Sequence, residues 1–391
     1  MNDRPQPWYV IGHRNPDADA IFSAIGHAAF LRATGESAVA ARCGQLTERV
    51  RLVLERTGLP TPVFIDDVRP TAGSICRRDV VSVSEDDTFM RAYQTMLAHE
   101  VRAAPVLTRR GEVCGILRFL DLLQLLLPTA SGDLAARTTH ASLANIAATL
   151  GADTNWAAPP EPLEEDHILM VGASLQATVE RRLRNAQSEG NVSQHVVICG
   201  DRSAVHQYAL DYGARALIIT SGCQPDPQLA RQAEKKGIAI LCSPHDTAMT
   251  VKLALCARKV SHVLDESHRM VEASERVGEL AAELVPLHQE LFPVVEDGTC
   301  RMVGVLSKSD LISPPRTKLS LVDHNEFAQA VRGVEETEVV EVIDHHRLSG
   351  DFVTREPVRF LNEPVGSTST IVARRFREQG LTPDAATALC L

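Results

Sequence analysis

No apolar run in this 391-residue chain is long enough to cross a bilayer. The longest patches, such as Leu120 to Leu127, fall far short of the roughly 20 residues a spanning helix needs, so no membrane partner is expected. Paired cysteines are missing too. The nine cysteines are an odd number, scattered, with no Cys-x-x-Cys pair, which argues against a disulfide framework and for reduced thiols in a cytoplasmic protein. The amino end lacks a signal-peptide pattern: Met1 to Pro7 is polar, and the first apolar run is only Trp8 to Ile11. An excess of positive charge is absent as well. At a net charge of −10, a nucleic-acid backbone is not an expected partner, and a polyanion is reached only where metal ions reverse the local charge. The chain is too long for one ordinary domain, and about two to four are expected.

What is present is a repeated grammar of short apolar strands ending in histidine and aspartate. Tyr9-Val10-Ile11 runs into Gly12-His13-Arg14-Asn15-Pro16-Asp17-Ala18-Asp19. Leu319-Ser320-Leu321-Val322 runs into Asp323-His324-Asn325-Glu326, and Thr337 to Ile343 runs into Asp344-His345-His346-Arg347. In open parallel α/β sheets the carboxyl edge of the strands is where ligands bind. One such loop is an ordinary polar loop, and Asp17 or Asp19 alone could simply cap the helix that follows. Three clusters together supply imidazole nitrogen and carboxylate oxygen, the donor mix for a divalent ion of intermediate hardness.

Taken in order, Ile21, Ala24, Ile25, Ala28 and Leu31 recur at helical spacing after the first cluster, with Gly35 as a stop. Val63-Phe64-Ile65 is a further short strand. From Thr71 the character changes. Asp86-Asp87-Thr88 caps a helix Phe89 to His99, followed by strands Ala104 to Leu107 and Val113 to Leu117 and a helix from Leu120. This order resembles a CBS module, and a looser copy ends at Val303 to Leu311. Between them, 129–160 is small and polar and reads as a linker. Strands Ile168–Val171, His195–Ile198, Ala216–Ile219 and Ile238–Leu241 then alternate with helical patterns, a small parallel α/β domain. Gly200-Asp201-Arg202 and Thr220-Ser221-Gly222 resemble degraded DRTGG motifs, and no catalytic set converges there; scaffold or regulatory spacer is the reading. Near the end, Gly366-Ser367-Thr368-Ser369-Thr370 either offers backbone N–H groups to an anion or merely caps a helix running from Ile371 to Phe376.

The three ordered clusters around this insert resemble the DHH-superfamily, manganese-dependent family II inorganic pyrophosphatases, in their CBS-containing subtype with a DRTGG insert. The Asn-Pro-Asp-x-Asp form of the first loop favours pyrophosphatase over other DHH phosphoesterases. The fold implied is α/β: a parallel-sheet DHH domain interrupted by a CBS pair flanking a small DRTGG-like domain. The parts are 1–70 and 316–391 for the DHH domain, 71–128 and 259–315 for the CBS modules, and 161–258 for the α/β domain. The resemblance implies His13, Asp17, Asp19, Asp323 and His345 as metal ligands, with Asp19 and Asp323 shared between two ions. His346 would contact phosphate, with Asp344 beside it as the second catalytic residue. The metals implied are Mn²⁺ or Co²⁺, with Mg²⁺ assisting. CBS modules pair and bind adenine nucleotides, which implies Ser307, Asp310 and Asp121 as nucleotide contacts and a homodimer formed through the modules. Asp310 could equally be a plain helix cap, and Arg118 stands where the first copy would carry a hydroxyl.

The activity implied is hydrolysis of pyrophosphate to two phosphates under adenine-nucleotide control. The family continues past the DHH motif to another metal-binding Asp and a lid-like DHHA2 domain, so a chain ending at Leu391 is expected to be slow or inactive. Two alternatives stand beside this: a nucleotide or metal sensor without catalysis, and a DHH phosphoesterase acting on short oligonucleotides or cyclic dinucleotides.

Overall fold

The computed structural model describes residues 8–121, 137–157, 163–262, 264, 267–348, 350, 353–354 and 356–391. The chain divides into two compact units. One comprises Met1–Arg77, Val271–Glu290 and Leu306–Leu391; the other comprises Arg78–Met270 and Leu291–Val305.

The first unit is built on a six-stranded sheet in the order Arg359–Asn362, Glu338–Asp344, Lys318–Val322, Trp8–Ile11, Ala38–Arg42, Val63–Phe64. Every pairing is parallel. Alternation along the strands splits the core in two, as a two-faced sheet requires. Val10, Val322 and Ile343 pack with Ala24, Ala28, Ile371 and Phe376 on one face. Ile11, Leu321 and Val342 pack with Val68, Val331 and Val334 on the other. Both faces are therefore covered, which is why these strands read as nearly continuous apolar runs. Between Leu319 and Ser320 the register with the neighbouring strand shifts, so that Ser320 lies opposite Glu341.

The helix Ala18–Ala33 begins where the sequence places it, with Asp17 as N-cap accepting from the Ala20 amide at 3.0 Å. It is buried over most of its circumference, and the helices Thr368–Glu378 and Ala385–Cys390 lie against it. The strand Ala38–Arg42 and the helix Glu48–Thr57 had no counterpart in the sequence reading.

In the second unit a six-stranded sheet runs Thr138–Ala141, Glu165–Val171, His195–Cys199, Ala216–Ile219, Ala239–Cys242, Asp153–Ala157. The four central strands are the expected parallel set, and the two edge strands are antiparallel. The linker expected over 129–160 is therefore corrected. Within it lie both edge strands and a helix Leu143–Leu150, capped by Ser142 and closed by Gly151 in the left-handed conformation. Half-solvated edge strands tolerate Thr, His and Asp, so the polar composition concealed them. The rest of that linker, 129–136 and 158–160, lies outside the described residues, as does the expected helix beyond Asp121.

The first CBS-like copy is a three-stranded sheet of Val83–Ser84, Ala103–Leu107 and Val113–Arg118 with the helix Phe89–Ala98. The second supplies strands Val271–Glu272, Leu291–Val295 and Met302–Ser307 and helices Val277–Leu284 and Lys308–Ile312.

Candidate metal centre

Register decides what meets at the carboxyl edge of the first sheet. Ile11 is level with Leu321, and Val322 is level with Ile343. The residues that leave these three adjacent strands therefore emerge at one height. They are His13, Asp323 and His345.

Asp323 sits at their centre, buried, at φ +65°. A non-glycine residue rarely occupies that region, and such strain is characteristic of functional sites. Its two oxygens face different partners. Oδ2 lies 3.5 Å from His13 Nε2, which is itself 4.0 Å from Asp17 Oδ1. Oδ1 lies 3.5 Å from His345 Nε2, which is 3.7 Å from Asp19 Oδ2. These separations are long for hydrogen bonds but suit pairs of ligands each ~2.0–2.2 Å from a shared ion.

The supporting contacts fix each ligand. His345 Nδ1 donates to the Val365 carbonyl at 3.0 Å, leaving the lone pair on Nε2. Asp19 is held by the amide of Thr368 at 2.6 Å and by the amide and hydroxyl of Ser369 at 2.9 and 2.7 Å. The Gly-Ser-Thr run thus does accept an anion at its helix start, and the anion is a side chain of the same chain. The Thr368 hydroxyl donates to Asp323 Oδ1 at 3.1 Å. Burial raises the Asp323 carboxyl, His13 opposes this, and the nearby Asp19 and Asp17 raise it further. Crowded carboxylates with imidazoles for company are a donor set that a divalent cation would relieve. The residues fit such an ion.

Asp19 falls on the His345 side of this arrangement. The two oxygens of Asp323 reach both groups.

Asp344 does not face the cluster. It is fully buried and accepts from the amides of His345 and His346 at 2.8 and 3.2 Å, from His346 Nδ1 at 2.9 Å, and from Asn325 Nδ2 at 2.5 Å. Burial favours its neutral form, but the donors from His346 and Asn325 outweigh that and hold it below the ordinary carboxylate range. In return the Asp344 hydrogen bond raises His346. Asp344 is therefore a positioning residue for His346, whose ring remains open to solvent. Asn325, Thr368, Ser369 and the Val365 carbonyl were not assigned from sequence. Only the helix-start composition of the Ser-Thr run signalled any of them.

His324 is buried against the cluster, with Nδ1 on the Val322 carbonyl at 2.9 Å and Nε2 without a partner. Burial pushes it down to about 4, so it stays neutral.

Of the expected nucleotide residues, Ser307 and Asp310 form the capping box of the helix Lys308–Ile312. Asp310 accepts from the Ser307 amide and hydroxyl at 2.7 and 2.6 Å. In the second unit, Asp121 accepts from the Arg118 amide and guanidinium at 2.7 and 2.8 Å. Arg118 thus replaces the missing hydroxyl as partner to its aspartate.

Compared with known proteins, residues 7–391 match the DHH family, N-terminal domain. The chain belongs to the DHH family. A cobalt-dependent inorganic pyrophosphatase of Clostridium perfringens is 28% identical over 387 residues, 98% of this chain and 68% of the relative. A probable manganese-dependent inorganic pyrophosphatase of Thermotoga maritima is 29% identical over 385 residues, 95% of this chain and 66% of the relative. This DHH-family chain therefore spans about two thirds of the length of these relatives. A crystal structure of the CBS and DRTGG domains of the Clostridium perfringens pyrophosphatase regulatory region, complexed with the activator diadenosine tetraphosphate, aligns with a TM-score of 0.53. It is 18% identical and covers 61% of this chain and 99% of that one. The fold is accordingly α/β, a parallel DHH sheet interrupted in sequence by a CBS and DRTGG insert.

Proposed function

We propose that this DHH-family chain carries the metal centre for hydrolysis of inorganic pyrophosphate to two phosphates, with adenine nucleotides acting at the CBS pair as regulators. The observation that carries the reading is Asp323, with one oxygen toward His13 and the other toward His345, the two rings in turn reaching Asp17 and Asp19. The similarity to cobalt- and manganese-dependent pyrophosphatases over nearly the whole chain supports it. His13 and Asp17 would hold one Mn²⁺ or Co²⁺, Asp19 and His345 the other, and Asp323 both, with Mg²⁺ able to assist.

When bound, such a pair of ions supplies a water of lowered pKa and a clamp for phosphoryl oxygens. The chain's own residues do the rest. The Asp344 hydrogen bond raises the His346 pKa and so favours the doubly protonated ring, which would offer a donor to a phosphate oxygen. Thr368 and Ser369 keep the carboxylates from turning away. Regulation through Ser307, Asp310 and Asp121 is supported by the fold shared with a regulatory region that binds diadenosine tetraphosphate. A homodimer through the CBS modules and a cytoplasmic location extend the same reading. No described helix is long and apolar enough to cross a membrane, and the net charge of −10 argues against a nucleic-acid partner.

The test is phosphate release from pyrophosphate with Mn²⁺ or Co²⁺, alongside isothermal titration of the metal. Asp323→Asn should abolish both. Cleavage of cyclic dinucleotides or short oligonucleotides in preference to pyrophosphate would reassign the substrate. Metal binding unchanged in Asp323→Asn would remove the centre altogether.

A further inference from the structure

Within the second unit, three segments distant in sequence bring a second set of donors together. His140 lies on the edge strand Thr138–Ala141, Glu164 immediately precedes the strand Glu165–Val171, and His262 ends a single 3₁₀ turn, Val260–His262. One nitrogen from each ring and one oxygen of Glu164 lie within 4.8 Å of one another. The ring centroids are 4.6 Å apart. His262 Nε2 is 3.1 Å from Glu164 Oε2.

The surroundings prepare these groups. His140 Nδ1 is 2.8 Å from Asp166, a carboxylate–histidine contact that places the proton on Nδ1 and the lone pair on Nε2. Metal-bound histidines are commonly oriented in this way. Glu164 divides its oxygens. Oε1 takes Lys259 Nζ at 2.9 Å, while Oε2 faces the histidines. Lys259 is also held by Asp86 at 2.9 Å, whose other oxygen takes Arg109, so Oε2 is left to the histidines.

We propose that His140, Glu164 and His262 form a second divalent-metal site, of the two-histidine, one-carboxylate type, in the regulatory insert. Its chemistry suits Zn²⁺, Co²⁺ or Ni²⁺ better than Mg²⁺, because two of three donors are imidazole nitrogens. Binding takes the lone pair of His262 Nε2, so the proton that Nε2 shares with Glu164 moves to Nδ1 of the neutral ring, or from the cationic ring to solvent. The three ligands come from separate segments, so the ion ties the edge strand Thr138–Ala141 to the turn beside Lys259.

The experiment uses the full chain carrying Asp323→Asn, which empties the DHH centre and leaves any other site to be counted. Titrated with Co²⁺ near neutral pH, this variant should bind one ion per chain and show visible d–d absorption. Adding His140→Ala with His262→Ala should lose that ion or weaken it at least tenfold. The metal-free melting temperature should stay unchanged, since both side chains are solvent-accessible. Crystals soaked in Zn²⁺ should give an anomalous peak between the three residues. Equal Co²⁺ stoichiometry and affinity with and without the two histidines would overturn the site, and so would an anomalous map lacking that peak.

Discussion

A carboxylate is a dependable ligand only if something else stops it from turning. Asp19 meets that requirement through three donors from Thr368 and Ser369. Ser369→Ala removes the hydroxyl and leaves both amides. Loss of such an outer contact typically costs about 10- to 100-fold in metal affinity, so a loss near tenfold is expected by Mn²⁺ titration; an unchanged Kd would show that the amides suffice. Glu341 shows the other use of a buried carboxylate. Burial alone would raise it, but His27 and Arg375 hold it at about 2, below its ordinary 4.5. Arg375 donates to it at 2.9 Å and Ser320 at 3.1 Å. Because the folded value is depressed, its stabilisation is complete above pH 4.5 and fades as pH falls toward 2. Glu341→Gln leaves Arg375 buried without its counter-charge and should cost about 3 kcal/mol near neutral pH. Denaturant melts should show that gap closing between pH 4.5 and 2, and a gap independent of pH would contradict the assignment.

At the scale of elements, the centre depends on loops pressed against one another. A Cβ on Gly44 would lie 2.0 Å from the Arg14 carbonyl oxygen and 2.3 Å from Pro16 Cδ. That backbone carries His13 on one side and Asp17 on the other. It is also pinned by the Arg14 amide on the Gln329 carbonyl at 2.8 Å. Gly44→Ala must therefore displace the first cluster. Overpacking of this kind costs about 1–3 kcal/mol, and metal affinity should fall with it. A variant with native melting temperature and native Mn²⁺ affinity would show that the loop moves freely. The strand pairing itself was legible, since three apolar runs ending in His and Asp are level in the sheet. The edge strands of the second unit were not, because polar residues at a half-solvated edge look like linker.

For the whole molecule, the CBS-like copies carry the regulatory proposal. A ligand that binds only the folded state stabilises it by about 2.7 kcal/mol at a concentration 100 times its Kd. AMP, ADP or diadenosine tetraphosphate should therefore raise the melting temperature of the full chain. Asp310→Ala breaks the cap it forms with Ser307 and should diminish the shift. No shift at millimolar nucleotide would count against the CBS reading. An undiminished shift in Asp310→Ala would place the ligand elsewhere.

The sequence by itself determined which residues gather at the sheet edge. A strand's end is a local event: His13, Asp323, His345 and His346 are within two residues of one, and Asp17 and Asp19 follow at the start of the next helix. It also determined that a parallel α/β sheet is interrupted in sequence by an insert, because period and composition change at Thr71 and again near Lys318; the compact units themselves divide elsewhere, after Arg77 and within the second CBS-like copy. Only the tertiary structure decided what each group does there. Asp344 reads from Asp-His-His as a second catalytic residue, yet its strand ends one residue later than the apolar run suggested, and the side chain turns inward to hold His346. Ser369 and Thr368 look like a cap, yet their donors fall on a carboxylate about 350 residues away. His140, Glu164 and His262 carry no shared motif at all. They come from chain segments distant in sequence, and side-chain direction across such distances is set by packing and not by spacing.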